Sequence, residues 1–239
     1  MALVTTPTAP NADSYASVAD ADDYLAVKSG FSTWDAFTDG QKENFLKQAT
    51  RQIDMLRFEY QPFYWDSRDY RDKQSLKHPM LDHKHWSSTV SAGSTTTVTI
   101  PNAINLTWMP DDYWNGGAIV VREGAGRGQT ATITDFVAST GVVTFETVST
   151  ALDSTSQITL IQELDDEIVW ACIEHAYFLA LRRDDAMRDR VEGVKSRKIG
   201  DVSETYSIPQ TVGVNGIVYS MEALSYLMPY ISNTGSIRT

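Results

Sequence analysis

The sequence predicts an α+β protein, a helical domain interrupted by an inserted small antiparallel β-barrel or sandwich. Three observations carry that expectation. Apolar residues recur at helical spacing from Val18 to Leu56 and again after Leu164. Between Ser87 and Gln162 the chain turns rich in Thr, Val, Gly and Ser and alternates with period two. Two helices precede this block and two follow it, and neither pair has enough apolar surface to fold well alone. They are therefore read as one discontinuous domain, residues 1–86 and 163–239, with the β domain over 87–162.

The elements follow in order. "MALVTTPTAPNAD" has no basic start and no long apolar run, so it reads as a flexible arm and not as a signal peptide. In "SVADADDYLAVKSG", Ser17 and Asp20 have capping-box spacing, Val18, Ala21, Tyr24 and Leu25 recur helically, and Gly30 suits the stop. Thr38 and Gln41 repeat the box before a second helix whose apolar face is Phe45, Ala49, Ile53 and Leu56. Trp34 and Phe37 lie just ahead of it as a packing staple. From Gln61 to Trp86 no period holds, and the segment reads as a long extended connection.

Strands are expected at Thr95–Ile100, Ala118–Arg122, Gln129–Phe136, Gly141–Phe145 and Gln157–Ile161. After Leu164 the helical period returns, placing Leu164, Ile168, Ala171, Cys172, His175 and Leu179 on one face. "SRKIGDVSETYSI" alternates like a strand, and "SMEALSYLMPYI" closes the chain as a short helix before a polar tail.

Charge and composition narrow the function. The chain of 239 residues carries 31 acids against 20 Lys and Arg, a net charge of −11. Proteins that grip DNA by its phosphates usually present a basic face, so sequence-independent DNA binding is not expected as the main role. No apolar run reaches the roughly 18 residues of a membrane span, so no membrane partner is expected. The single Cys172 excludes an internal disulfide, and mid-helix among apolar neighbours its thiol is inert.

"EGAGRGQTATI", residues 123–133, resembles a phosphate-cradling loop but fails the tests for one. A P-loop needs Lys after its last glycine, and a dinucleotide loop needs GxGxxG opening a helix. Here the spacing is GxGxG and a Thr-rich strand follows, so the glycines mark a turn and no cofactor is expected. His78, Asp82, His83 and His85, in "HPMLDHKH", are the one cluster with metal-ligand chemistry, although their spacing is not a helical i,i+4 pair and no further Cys or His lies nearby. His175 is expected to be a core residue. There is no GxSxG elbow and the paired acids are adjacent, hence not facing, so no catalytic residue is named and no enzyme is expected. Trp108, Tyr113 and Trp114 in "LTWMPDDYWNGG" are candidates for a partner-contact surface, with core and rim packing as the alternative.

The N-terminal pattern resembles the opening of phage head–tail connector (adaptor, head-completion) proteins. It is carried by Tyr15, Ser17, Asp20, Ala21, Asp22 and Tyr24, then Leu46, Ala49, Thr50, Ile53 and Asp54. Lys198, Gly200, Val202 and Tyr206 resemble a strand of that family, and "EALSYLMPYI" resembles its closing helix, so the likeness spans 13–60 and 164–231. The inserted block resembles a small β module of phage structural proteins through Gly126, Gly128, Gln129, Ile133, Phe136, Gly141, Val143 and Thr144. The resemblance implies a virion structural protein in the neck between head and tail, made in the host cytoplasm. It further implies a homo-oligomeric, dodecameric ring under the portal protein, contacts with tail or neck proteins, and genomic DNA passing the channel without tight binding. The alternative is a single-stranded-DNA-binding replication protein, a label some relatives of that family carry. Its local candidate is "FEYQPFYWDSRDYRDK", where aromatics interleave with Arg68, Arg71 and Lys73.

Overall fold

The computed structural model describes residues 3–60, 62, 74–80, 82–101, 109–181, 196–199, 202–205, 211–214 and 217–232. The chain divides into two compact units, Val4–Asp13 with Tyr60–Leu164, and Met1–Leu3 with Ser14–Glu59 and Asp165–Thr239.

The first of these is built on β1 (His85–Thr89), β2 (Ala92–Gly93), β3 (Thr97–Thr99), β4 (Ala118–Glu123), β5 (Thr130–Val137), β6 (Val142–Phe145) and β7 (Gln157–Ile161). They form one seven-stranded sheet in the order β1-β7-β4-β5-β6-β3-β2, with every neighbouring pair antiparallel. The eight-residue β5 pairs with β4 through Thr130, Ala131 and Thr132 and with β6 from Ile133 onward, with a register shift between Ile133 and Asp135. Alternation buries Ala131, Ile133 and Phe136 of β5 and Val143 and Phe145 of β6 in a common core with Trp114, Ile119, Val121, Leu152, Ile158 and Leu160.

The sheet is open, which corrects the expected barrel or sandwich. Alternation specifies which face of a strand is apolar but not which strand lies beside which. Here β7, the last of the seven in sequence, inserts between β1 and β4, and the two-residue β2 forms the far edge. β1 also begins inside the segment expected to be a long extended connection.

The glycine-rich segment is a turn between β4 and β5. Gly124, Gly126 and Gly128 have φ of 77°, 77° and 82°, a region where a Cβ is strained. Gln129 braces it: its amide donates to the carbonyls of Gly126 (3.1 Å) and Thr150 (3.3 Å), and its oxygen accepts from Ser149 Oγ (2.7 Å) and Thr150 N (2.9 Å).

The other unit holds α1 (Val18–Leu25), α2 (Phe31–Asp35), α3 (Asp39–Ile53), α4 (Asp166–Leu181) and α5 (Met221–Leu227). Both capping boxes form. Ser17 N donates to Asp20 Oδ2 (2.8 Å) while Asp20 N donates to Ser17 Oγ (3.1 Å), and Thr38 N donates to Gln41 Oε1 (3.0 Å). Trp34 is fully buried against Phe45, with ring centroids 6.3 Å apart, and Phe37 meets Phe45 edge-on at 5.1 Å. α4 is the central helix, packed on α3 and α5, and Ile168, Ala171, Cys172, His175 and Leu179 are all buried.

This unit is not purely helical, a second correction to the expected fold. It carries two hairpins, β8 (Ser196–Ile199) with β9 (Val202–Thr205), and β10 (Thr211–Val214) with β11 (Ile217–Ser220). Four-residue strands give too few alternations to separate them from a single strand or a loop by sequence.

Candidate functional site

The histidine cluster does not converge. His78 is buried, and burial, with the neighbouring charges of His83 and Lys77, pushes its pKa down to about 3. His83 Nε2 lies 2.9 Å from the Gln162 carbonyl, His85 Nδ1 lies 2.9 Å from the His83 carbonyl, and Asp82 is exposed. Among the described residues no group of His, Cys, Asp and Glu is arranged to hold a metal. Trp114 is 1% exposed and part of the sheet core, with Tyr113 half-buried against it, ring to ring at 5.0 Å and edge-on. Trp108 lies outside the described residues, as does most of the aromatic and basic segment 58–73. Cys172 is buried, which pushes its thiol up to about 11. His175 is a core residue with both ring nitrogens engaged, Nε2 with Gln52 Oε1 (2.6 Å) and Nδ1 with Ser220 N (3.5 Å).

The arrangement with chemical character lies elsewhere, on the helical unit. Trp170, Glu174 and Tyr177 sit at i, i+4 and i+7 on α4 and so share one stripe. Tyr24 and Lys28, at the end of α1 and in the turn after it, and Glu222 and Tyr226, four apart on α5, come to that stripe from either side. Tyr24 and Trp170 stack with centroids 6.2 Å apart, and Trp170 meets Tyr226 edge-on at 5.6 Å. All three rings are half-buried, so each offers part of its surface to solvent.

Inside this aromatic row lies a buried charge. The Glu174 side chain is 2% exposed; it accepts from Tyr24 Oη at 2.7 Å and pairs with the Lys28 ammonium. Lys28 also reaches Glu222 Oε2 at 3.2 Å and lies 5.5 Å from the centre of the Tyr24 ring. Burial raises the Glu174 carboxyl above the usual range, and Lys28 and Tyr24 hold that rise down. The more exposed Glu222 is lowered, by hydrogen bonding toward Glu174 and by Lys28. For Lys28, burial acts to lower the ammonium, but its two carboxylate partners outweigh that and raise it. Tyr24 is raised by burial and by its bonds to Tyr226 and Glu174, so it stays a neutral phenol.

Sequence reading found Tyr24 as an apolar helix position and missed the rest of this face. The available signal was a glutamate four residues after a tryptophan within an otherwise apolar helix. An acid there must find a cation, and Lys28 is 146 residues away in the chain.

The residues that carry the connector resemblance have local tasks here. Ser17 and Asp20 cap α1; Asp22 accepts from Trp34 Nε1 (2.7 Å) and from the buried Lys42 (2.9 Å). Tyr15 Oη donates to Asp54, and Thr50 Oγ1 receives the Tyr15 N–H (3.2 Å). Ala21, Leu46, Ala49 and Ile53 are core. Capping and packing residues of this kind describe how helices begin and meet and specify no assembly. Neither the curated proteins nor the solved structures include a match to the chain. Residues 1–105 match the family described as "Putative DnaT-like ssDNA binding protein". That match overturns the connector and phage-module resemblance and what it implied: portal, tail and neck partners, a dodecameric ring, a virion location, and DNA passing without binding.

Proposed function

We propose that the chain is a non-enzymatic protein that binds single-stranded DNA by base stacking more than by phosphate neutralisation. The observation that carries the reading is the family match over 1–105. That stretch contains the segment 58–73, with Phe58, Tyr60, Phe63, Tyr64, Trp65 and Tyr70 interleaved with Arg68, Arg71 and Lys73. Stacking is sequence-tolerant and contributes about 1–3 kcal/mol per base. The charge supports the same division of labour. The segment sets its three cations against Glu59, Asp66, Asp69 and Asp72, and the whole chain stands at −11. Attraction to the backbone is correspondingly weak.

The test is a fluorescence titration with labelled oligothymidylate between about 50 and 200 mM salt. With Arg68, Arg71, Lys73 and Lys28 as the phosphate contacts, the slope of log K against log salt is no steeper than about −3, from roughly 0.7 per contact. Single strands bind more tightly than the matching duplex. Absence of binding at the lowest salt refutes the reading, as does an equal affinity for duplex. A slope well beyond −3 refutes the stacking mode.

A further inference from the structure

We propose that the face formed by Trp170, Tyr226 and Lys28 is a nucleotide subsite in which Glu222 occupies the place of a phosphate. This rests on the single-stranded-DNA reading above and adds to it a contact outside the 58–73 segment. The three contacts of Lys28 are unequal. Glu174 is sealed beneath it at 2% exposure, whereas the Glu222 side chain is 59% exposed and holds Lys28 at 3.2 Å. Lys28 itself is 27% exposed. An anion from solvent can therefore replace Glu222 but not Glu174.

The rings are placed for the rest of a nucleotide. Trp170 and Tyr226 are half-buried, 5.6 Å apart and inclined by 63°, and Tyr226 lies four residues after Glu222 on the same face of α5. A base on this aromatic edge brings its own phosphate toward Lys28 while Glu222 swings into water. The buried Glu174 and the Tyr24 hydroxyl keep the ammonium in position throughout. Until a strand arrives, Glu222 closes the cation against stray anions, and the acid must be displaced for binding. The subsite thus weakens affinity for free phosphate and favours a ligand that supplies a base and a phosphate together.

The decisive variant is Glu222→Gln, measured in the full chain by oligothymidylate titration. Removing an exposed competitor for Lys28 tightens binding about two- to fivefold. Asp35→Asn removes the same charge from an exposed position on α2 and leaves affinity unchanged. Trp170→Leu weakens binding roughly 5- to 150-fold. If Trp170→Leu does not fold by circular dichroism, Glu222→Gln carries the test alone, since a gain of affinity cannot come from unfolding. Wild-type binding with Glu222→Gln indistinguishable from wild type or from Asp35→Asn overturns the subsite and leaves the wider reading standing. No wild-type binding overturns both.

Discussion

Lys28→Met isolates the buried charge at the centre of the candidate face. The substitution keeps most of the aliphatic stem and removes the ammonium that pairs with Glu174. Breaking a buried ion pair from one side costs about 3–5 kcal/mol, because the remaining charge is stranded. Two features reduce that here. Lys28 is 27% exposed, so water screens part of the pair, and the Tyr24 hydroxyl still donates to Glu174 at 2.7 Å. The expected loss at neutral pH is about 2–3 kcal/mol, read from urea denaturation followed by far-ultraviolet circular dichroism. The pH dependence supplies a sharper criterion. Burial already raises Glu174 above the ordinary carboxyl value of 4.5, and without Lys28 it rises further. A carboxyl raised in the folded state contributes stability that is full below its unfolded value and is lost as pH climbs through the folded value. The deficit of Lys28→Met against wild type is therefore largest at neutral pH and shrinks on acidification toward 4.5. A deficit that is absent at neutral pH, or constant down to the carboxyl range, refutes the account of Glu174 as a buried acid dependent on Lys28.

Two further substitutions test the sheet unit. Gln129→Ala removes the side chain that ties the β4–β5 turn to Ser149 and Thr150; it costs about 1–3 kcal/mol, and the Thr150 amide loses its protection from hydrogen exchange. Trp114→Ala empties a site in the sheet core and costs about 3–5 kcal/mol by denaturation, where a surface contact residue changes stability by less than about 0.5 kcal/mol.

Much of the local structure was legible because it rests on short-range chemistry. Ser17 with Asp20 and Thr38 with Gln41 announce helix starts three residues apart, and both boxes form. Gln157–Ile161 is a strand over the range expected, and strands form within the expected ranges Gln129–Phe136 and Gly141–Phe145 to within a residue or two. Pairing order was not legible. The placement of β7 between β1 and β4 depends on which edges meet, and a closed barrel and an open sheet share the same alternation. "SRKIGDVSETYSI" reads as one strand where β8 and β9 form a hairpin, and β10–β11 escapes, for the related reason that each strand is only four residues long.

The candidate face shows why a function is harder to read than a fold. Tyr24, Lys28, Trp170, Glu174, Glu222 and Tyr226 come from three stretches of chain and meet only when α1 and α5 both pack on α4. Singly, each looks like an ordinary helix residue. Asp22 and Tyr24 illustrate the converse error. They contributed to a connector resemblance, yet Asp22 neutralises Lys42, which is 3% exposed, and Tyr24 bonds Glu174. A buried cation and a buried acid each require a fixed partner whatever the protein does. Such pairs constrain sequence as strongly as a ligand does, so a motif made of them identifies a way of packing helices. The residue free to identify a ligand is the one whose pairing the fold can give up. On this face that is Glu222, exposed, on a short helix, and holding a lysine that Glu174 keeps in place without it.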